Sequence, residues 1–263
     1  MIDKKDTVAI AVSGGKDSLS LLFILNKILK PTKIRLIALA VDEGIKDYRD
    51  PNFAYVKKFC KGLNMPLKTY SFKKEFGKTL DEITKKDKKT IPCTYCGVFR
   101  RKILNEKAIT LGATKLATGH NLDDEAQSIL MNQLRKNIRA SAILGPVTGV
   151  KDDPGFVRRI KPFYFLTEKE VITFAYINNI LDKYVECPNS ILGYRRTIQE
   201  TLNDLENKYP GTKHNVISSF LSVLPLLKKS FESAEIKKCK LCNAPTSKEI
   251  CQACVLLERI KSF

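Results

Sequence analysis

The sequence predicts an α/β fold: a parallel five-stranded sheet with flanking helices, followed by a helical C-terminal extension and a small cysteine-rich ribbon. Three observations carry this. Short apolar, partly β-branched runs alternate with helical stretches, the pattern of βαβ units. The first apolar run breaks at Ser13-Gly14-Gly15-Lys16-Asp17-Ser18 and continues as an apolar helix. Near the end, two Cys-x-x-Cys knuckles stand close together, at 239/242 and 251/254. On these cues the 263 residues divide into 1–165, 166–238 and 239–263.

Thr7 to Val12 reads as a buried first strand and Leu19 to Leu29 as the helix behind it. Between them, Gly14 and Gly15 let the backbone turn sharply and approach a ligand closely. The N–H groups of the turn and the positive helix end then face an anion. Lys16 adds a charge, and Ser13 and Ser18 add hydroxyls. The loop is shorter than G-x-x-x-x-G-K-[ST], and its lysine sits differently. The plain alternative is a strand-to-helix turn with Ser13 as its cap. Ile34 to Val41 is a second, parallel strand ending in Asp42-Glu43-Gly44. Ligands bind outside the carboxyl ends of such strands, so Asp42 is placed to meet ribose or Mg²⁺, or to cap the next turn.

Asn52 to Gly62 is helical, with Cys60 as a small buried apolar residue. Leu67 to Phe72 is the third strand. Lys73 to Lys89, charged and with weak periodicity at Phe76, Leu80 and Ile83, is expected to be a mobile surface segment. A helix runs from Cys93 to about Gly112. Lys115 to Thr118 is the fourth strand and ends in Gly119-His120-Asn121-Leu122-Asp123-Asp124-Glu125-Ala126, which opens a helix to about Arg135. Asn121 or Asp123 as a cap explains one acid, not three in a row. A Gly/Pro-containing loop, Leu144 to Gly155, leads to a fifth strand, Phe156 to Pro162. Thr167 and Glu170 form a capping box for a helix ending near Asn179. Tyr184 to Pro188 is a loop, Arg195 to Lys208 a polar helix, and Val216 to Phe231 an apolar helix interrupted at Pro225.

The formal charge is +18, from 46 Lys and Arg against 28 Asp and Glu. Such an excess points to a polyanionic partner, above all nucleic acid. Solvated lysine faces are the plain alternative, but arginines also cluster, at 100–101, 135–139, 158–159 and 195–196. No run of eighteen apolar residues and no signal-like start is present, so the expectation is a cytoplasmic protein with no membrane partner.

Paired Cys-x-x-Cys in a cytoplasmic protein reads as metal or redox chemistry. Cys239, Cys242, Cys251 and Cys254 have the spacing of a closed tetrahedral Zn²⁺ site. So short a tail cannot build its own core, and metal would hold it together. Cys93, Cys96 and Cys187 remain, and both segments are expected on the edge that carries the phosphate loop. Three thiolates can hold a [4Fe-4S] cluster and leave one iron open, where the usual protein cluster has four cysteines. The rival is direct thiol chemistry, in which one cysteine carries a persulfide and another resolves it as a disulfide. Three unrelated buried cysteines are the plain alternative.

The ordered set SGGKDS, P-C-x-x-C-G with basic residues after it, G-H-N-x-D-D-E-A, a later E-C-P and a terminal zinc ribbon resembles the TtuA group of tRNA 2-thiouridine synthetases and their eukaryotic cytosolic relatives, within the PP-loop ATP pyrophosphatase superfamily. The match spans about Val8 to Cys254. The resemblance implies ATP cleavage between the α and β phosphates and adenylation of a tRNA uridine. It implies Cys93, Cys96 and Cys187 as [4Fe-4S] ligands, and Lys16 and Asp124 at the catalytic centre. ATP contacts would fall to Ala11, Ser13, Gly14, Gly15, Lys16, Asp17, Ser18, Val41, Arg100, Gly119 and Asp124, with Mg²⁺. Members usually carry a further cysteine zinc finger before the first strand; here Met1 to Asp6 precede it without a cysteine.

The expected activity is therefore ATP-dependent tRNA 2-thiolation. The C2 oxygen of a uridine leaves as part of AMP, and sulfur takes its place, with the iron–sulfur cluster as sulfur carrier. The partners are tRNA and a sulfur donor: sulfide, a persulfide, or a ubiquitin-like thiocarboxylate protein. Members of the group are often homodimers. Three alternatives stay open: the same thiolation by persulfide chemistry without a cluster, a lysidine-synthetase-like or small-molecule ligase, and an inactive RNA-binding scaffold.

Overall fold

The computed structural model describes residues 1–181, 187–189, 193–233 and 235–262. Tyr184, Val185 and Glu186 of the expected loop lie outside them. Five strands form one sheet: β1 (Thr7–Ala11), β2 (Arg35–Asp42), β3 (Leu67–Ser71), β4 (Lys115–Ala117) and β5 (Arg158–Ile160). Their order is β3-β2-β1-β4-β5, and every pairing is parallel. The order reverses between β1 and β4, and a sheet of this kind opens a crevice at that point.

Alternation along the strands sends side chains to two cores. Ile37, Leu39, Val41, Ala9 and Leu116 face one layer. It contains α3 (Phe72–Phe76), α4 (Leu80–Lys86) and α5 (Pro92–Thr110). Val8, Ile10, Val12, Ala38 and Ala40 face the other, with α1 (Lys16–Leu29), α2 (Arg49–Gly62) and α8 (Glu168–Ile177). Cys60 is buried in this second core, as expected. A third cluster joins α6 (Leu122–Leu134) to α9 (Tyr194–Lys208) and α10 (Thr212–Glu232) through Leu122, Ile129, Leu202 and Phe220. α7 (Ile138–Ile143) follows α6. The tail pairs β6 (Lys237–Lys238) with β7 (Pro245–Thr246) and closes with α11 (Gln252–Lys261), whose Leu256 and Ile260 join the first core.

Three expectations are corrected. Lys73 to Lys89 is not irregular surface: Ser71 caps α3, and Thr79 with Glu82 forms a capping box on α4. Phe72, Leu80 and Ile83 are buried there, while the lysines fan outward. α10 is not interrupted: it runs through Pro225, which sits on its exposed face, where water can satisfy the carbonyl left without a donor. Residues 138–143 form a helix that the sequence reading left out. Its cap is the side chain of Asn137, which accepts from the Ala140 N–H.

Candidate active site

The carboxyl ends of β1, β2 and β4 carry the candidate residues to one cleft of about 520 Å³. Ala11, Ser13, Asp17, Ser18, Val41, Arg100, Gly119 and Asp124 all line it. Gly14, Gly15 and Lys16 do not line it. Gly14 has φ +92°, and a Cβ there would stand 3.2 Å from the Asn52 Cβ, so the turn is pressed against α2. Gly15 is the N-cap of α1, and no side chain caps that helix end. Ser18 Oγ instead accepts from the Ser13 N–H at 3.1 Å and fixes the turn from inside.

Lys16 is not free to meet a phosphate in this state. Its Nζ lies 2.7 Å from Glu168 Oε1 and 3.1 Å from Asp17 Oδ2, with the side chain buried. Burial disfavours its charge, but the two carboxylates outweigh this and raise its pKa. Asp42 takes the plainer of its expected roles: Oδ1 accepts from the Gly44 N–H at 2.8 Å and closes the turn after β2.

The three acids of α6 divide their tasks. Asn121 is the N-cap and Asp124 completes a capping box. Asp123 is buried, accepts from the Glu168 N–H at 2.7 Å and pairs with Lys213. Glu125 is buried with Lys161 at 2.7 Å. Asp124 faces the cleft, where Arg195 stands 3.4 Å from its Oδ1. Burial raises the carboxyls of both Asp17 and Asp124, and for Asp17 the charge of Asp124 adds to it.

Cys93 and Cys96 lie on the first turn of α5, which Pro92 opens at its N-terminus. Tyr95, between them, is fully buried and donates to Asp87 Oδ2 at 2.7 Å. Asp87 also accepts the backbone N–H groups of Lys89 and Thr90, so the approach to the cysteines is tied down. Cys93 Sγ lies 3.4 Å from the Asn189 carbonyl, next to Cys187. Cys96 and Cys187 pack against the same core as Tyr48. Burial pushes the Cys96 thiol up to about 11, and the charges of Glu43, Cys187 and Cys93 add to it, against Arg100. Cys187 is raised by burial and then by Cys93 and Glu43. The three thiols therefore sit within one another's field, beside cleft residues Glu43 and Arg100. Such a donor set fits an iron–sulfur cluster, which would relieve the mutual repulsion of three thiolates.

The sulfurs of Cys239, Cys242, Cys251 and Cys254 all lie within 4.8 Å of one another. Cys242 and Cys251 are 3.7 Å apart, close to the edge of about 3.8 Å that a tetrahedron with Zn–S of about 2.3 Å requires. The Cys251 N–H donates to Cys239 Sγ and lowers that thiol to about 6. This set fits Zn²⁺.

Several cleft residues were not singled out by the sequence reading. The Arg49 guanidinium is buried, pairs with Glu43 at 2.9 Å and donates to the Ser13 and Val41 carbonyls, fastening two strand ends together. Arg101, Arg159, Lys161 and Arg195 make the walls basic. His120 stands among them, accessible from the cleft; enclosure by the cleft walls and the charges of Lys161 and Arg195 hold it well below the usual imidazole range.

The PP-loop domain matches residues 2–198. The chain belongs to the PP-loop family. Its relatives place it among the tRNA 2-thiolation proteins of that family. It is 41% identical over 262 residues to a probable sulfurtransferase of Methanocaldococcus jannaschii, covering 97% of this chain and 75% of that protein. It is 35% identical over 272 residues to the tRNA 2-thiolation protein NcsA of Haloferax volcanii, covering 99% and 84%. Among solved structures it resembles the U34-tRNA thiolase NcsA from Methanococcus maripaludis with its [4Fe-4S] cluster, with a TM-score of 0.81 and 34% identity over 97% of this chain and 81% of that one. The expected parallel five-stranded sheet and PP-loop fold are thus met, in the strand pairings and in the relatives. Among the described residues, no helix is long and apolar enough to cross a membrane.

Proposed function

We propose that this PP-loop protein is a cytoplasmic, ATP-dependent tRNA-uridine 2-sulfurtransferase. The uridine C2 oxygen attacks the α phosphate of ATP, pyrophosphate leaves, and sulfur then displaces AMP from C2. One arrangement supports this above the others: Cys93 Sγ reaches the Asn189 carbonyl, two residues beyond Cys187, and Cys96 and Cys187 pack against one core, while the paired Glu43 and Arg100 line the cleft that the phosphate loop forms.

In this reading residues 1–165 bind ATP, 166–238 bring Cys187 and Arg195 to it, and 239–263 brace the α5 side. The uncapped start of α1 and the loop amides receive the departing pyrophosphate, whose charge they stabilise without reorganising. Lys16 joins them by exchanging Glu168 for phosphate. Arg100 balances charge at the α phosphate, and Ala11, Val41 and Gly119 border the nucleotide. Asp17 and Asp124 share a region of negative charge that would hold Mg²⁺. His120, neutral and with Nδ1 2.9 Å from Thr118 Oγ1, is a hydrogen-bonding group rather than a cation. Cys93, Cys96 and Cys187 would hold the [4Fe-4S] cluster, which when bound supplies an open iron for sulfur. The basic cleft walls draw in the tRNA backbone.

The test is anaerobic incubation of unmodified tRNA with the protein, ATP, Mg²⁺ and sulfide, followed by nucleoside mass spectrometry. The expected product is 2-thiouridine, with AMP and pyrophosphate in equal amounts and none without ATP. Cleavage of ATP to ADP, or AMP formation that never yields a thiolated uridine, overturns the reading.

A further inference from the structure

A second cavity, of about 400 Å³, opens beside the ATP cleft. Its walls come from α7, the loop before β5, the end of α10 and the ribbon. Ile143, Thr148 and Arg159 line both spaces, so the two are contiguous. The reaction as proposed leaves this second space unused.

Its chemistry is specific. Phe156 lines it and is 51% exposed, over an apolar floor that includes Val150, Phe231 and Ile236. Arg139, Lys151 and Arg159 also line it, and none of the three has a carboxylate partner among the described residues. Two acids also line it, against four cations: Asp152 pairs with Arg158, another lining residue, and Asp153 Oδ1 accepts from the Gly155 N–H at 2.8 Å. The free charge of the cavity is therefore positive. Its wall is also braced. The Asn105 side chain donates to the Gly155 carbonyl at 2.8 Å and accepts from the Val157 N–H at 3.0 Å. Gly155 lies so close to the ribbon that a Cβ there would be 2.2 Å from Pro245 Cγ. The four-cysteine ribbon thus backs this wall.

An exposed aromatic ring on an apolar floor, rimmed by unpaired cations, matches a nucleotide: the ring stacks a base and the cations take its phosphates. We propose that this cavity holds one nucleotide of the RNA strand next to the uridine being modified. The proposal rests on the thiolation reading and extends it. Arg159, in the wall shared by both cavities, then sits between the bound strand and the ATP cleft.

The chain contains no tryptophan, so Phe156→Trp installs a single reporter at a half-exposed position that tolerates it. Unmodified tRNA transcript is expected to quench its fluorescence, and ATP–Mg²⁺ alone is not. Adding Arg139→Ala and Lys151→Ala removes two phosphate contacts. The tRNA dissociation constant should then rise about tenfold, and its log–log salt slope should shrink by roughly 1.4 for single-stranded contacts. Melting temperatures check that the variants fold. Binding of tRNA without quenching, quenching by ATP alone to the same depth, or an unchanged salt slope overturns the proposal and leaves the thiolation reading standing. Failure of the unsubstituted protein to bind tRNA overturns both.

Discussion

Gly119 is where the end of β4 meets the start of α1, and Gly119→Ala tests that meeting. A Cβ at this position would stand 2.8 Å from the Asp17 carbonyl carbon, 2.9 Å from its oxygen and 3.0 Å from the Ser18 nitrogen. These are backbone atoms of the phosphate-binding turn and cannot swing aside. The strands or the loop must separate by several tenths of an ångström. Overpacking of this kind costs about 1–3 kcal/mol. If all of it falls on the folded protein, the melting temperature drops by about 2–12 °C, at about 2–4 °C per kcal/mol. If it falls on the ATP complex, affinity weakens roughly 5- to 150-fold. The two readouts share one strain, so the larger the thermal loss, the smaller the further loss in affinity. Thermal denaturation and calorimetric titration with ATP–Mg²⁺ measure both. Gly62→Ala, at an exposed helix end with nothing within 4 Å of the added atom, serves as the control and should be neutral or stabilising. A Gly119→Ala protein with unchanged melting temperature and ATP affinity refutes the argument.

Glu125→Ala leaves the buried Lys161 ammonium without its partner and should cost about 3–5 kcal/mol in urea unfolding, whereas the double change Glu125→Leu with Lys161→Met should recover most of it. NMR should find His120 titrating below the ordinary imidazole value of about 6.5, and bound ATP should raise the midpoint by neutralising nearby cations. The sign follows: a depressed folded-state midpoint contributes stability above about pH 6.5 that fades as the pH falls, so His120→Asn should flatten the acid side of the stability profile; solvent in the open cleft limits its size. Metal analysis should find one zinc per chain, and Cys242→Ser should lose it. The contacts that dock α11, such as Arg259 to Thr90 at 2.9 Å and Lys78 to the Ile260 carbonyl at 2.6 Å, should then open, exposing the tail to trypsin.

The sheet and the phosphate turn were legible because their signals are local. Strand runs, Gly14 beside Gly15, the Thr167 and Glu170 box and the four ribbon cysteines each declare themselves within a few residues. Lys73 to Lys89 misled because its charge masked two buried apolar positions, Leu80 and Ile83, with Phe76 half-buried at helical spacing before them. Lys16 was legible as a candidate phosphate ligand, but its pairing with Glu168 was not, because Glu168 is remote in sequence and approaches only when α8 packs on α1. Arg49 looked like one basic residue among many; nothing local marks it as the group that joins the Ser13 and Val41 carbonyls. Arg159 and Arg195 were noticed as clusters of charge, but only the fold aims them at the cleft. The sequence offered Asn121 or Asp123 as the cap of α6; that Asp124 completes the capping box with Asn121 and faces the cleft came only with the fold.

The central claim is that Cys93, Cys96 and Cys187 hold a sulfur-handling cluster beside an ATP-activating loop. Purification without oxygen, followed by absorbance, iron analysis and a tRNA thiolation assay on the same sample, tests it most directly. The expected result is a brown protein absorbing near ~400 nm, with Cys187→Ala losing both the colour and the thiolation while keeping its fold and its ATP affinity. A colourless, iron-free protein that thiolates tRNA at full rate would contradict it and assign the chemistry to a cysteine persulfide.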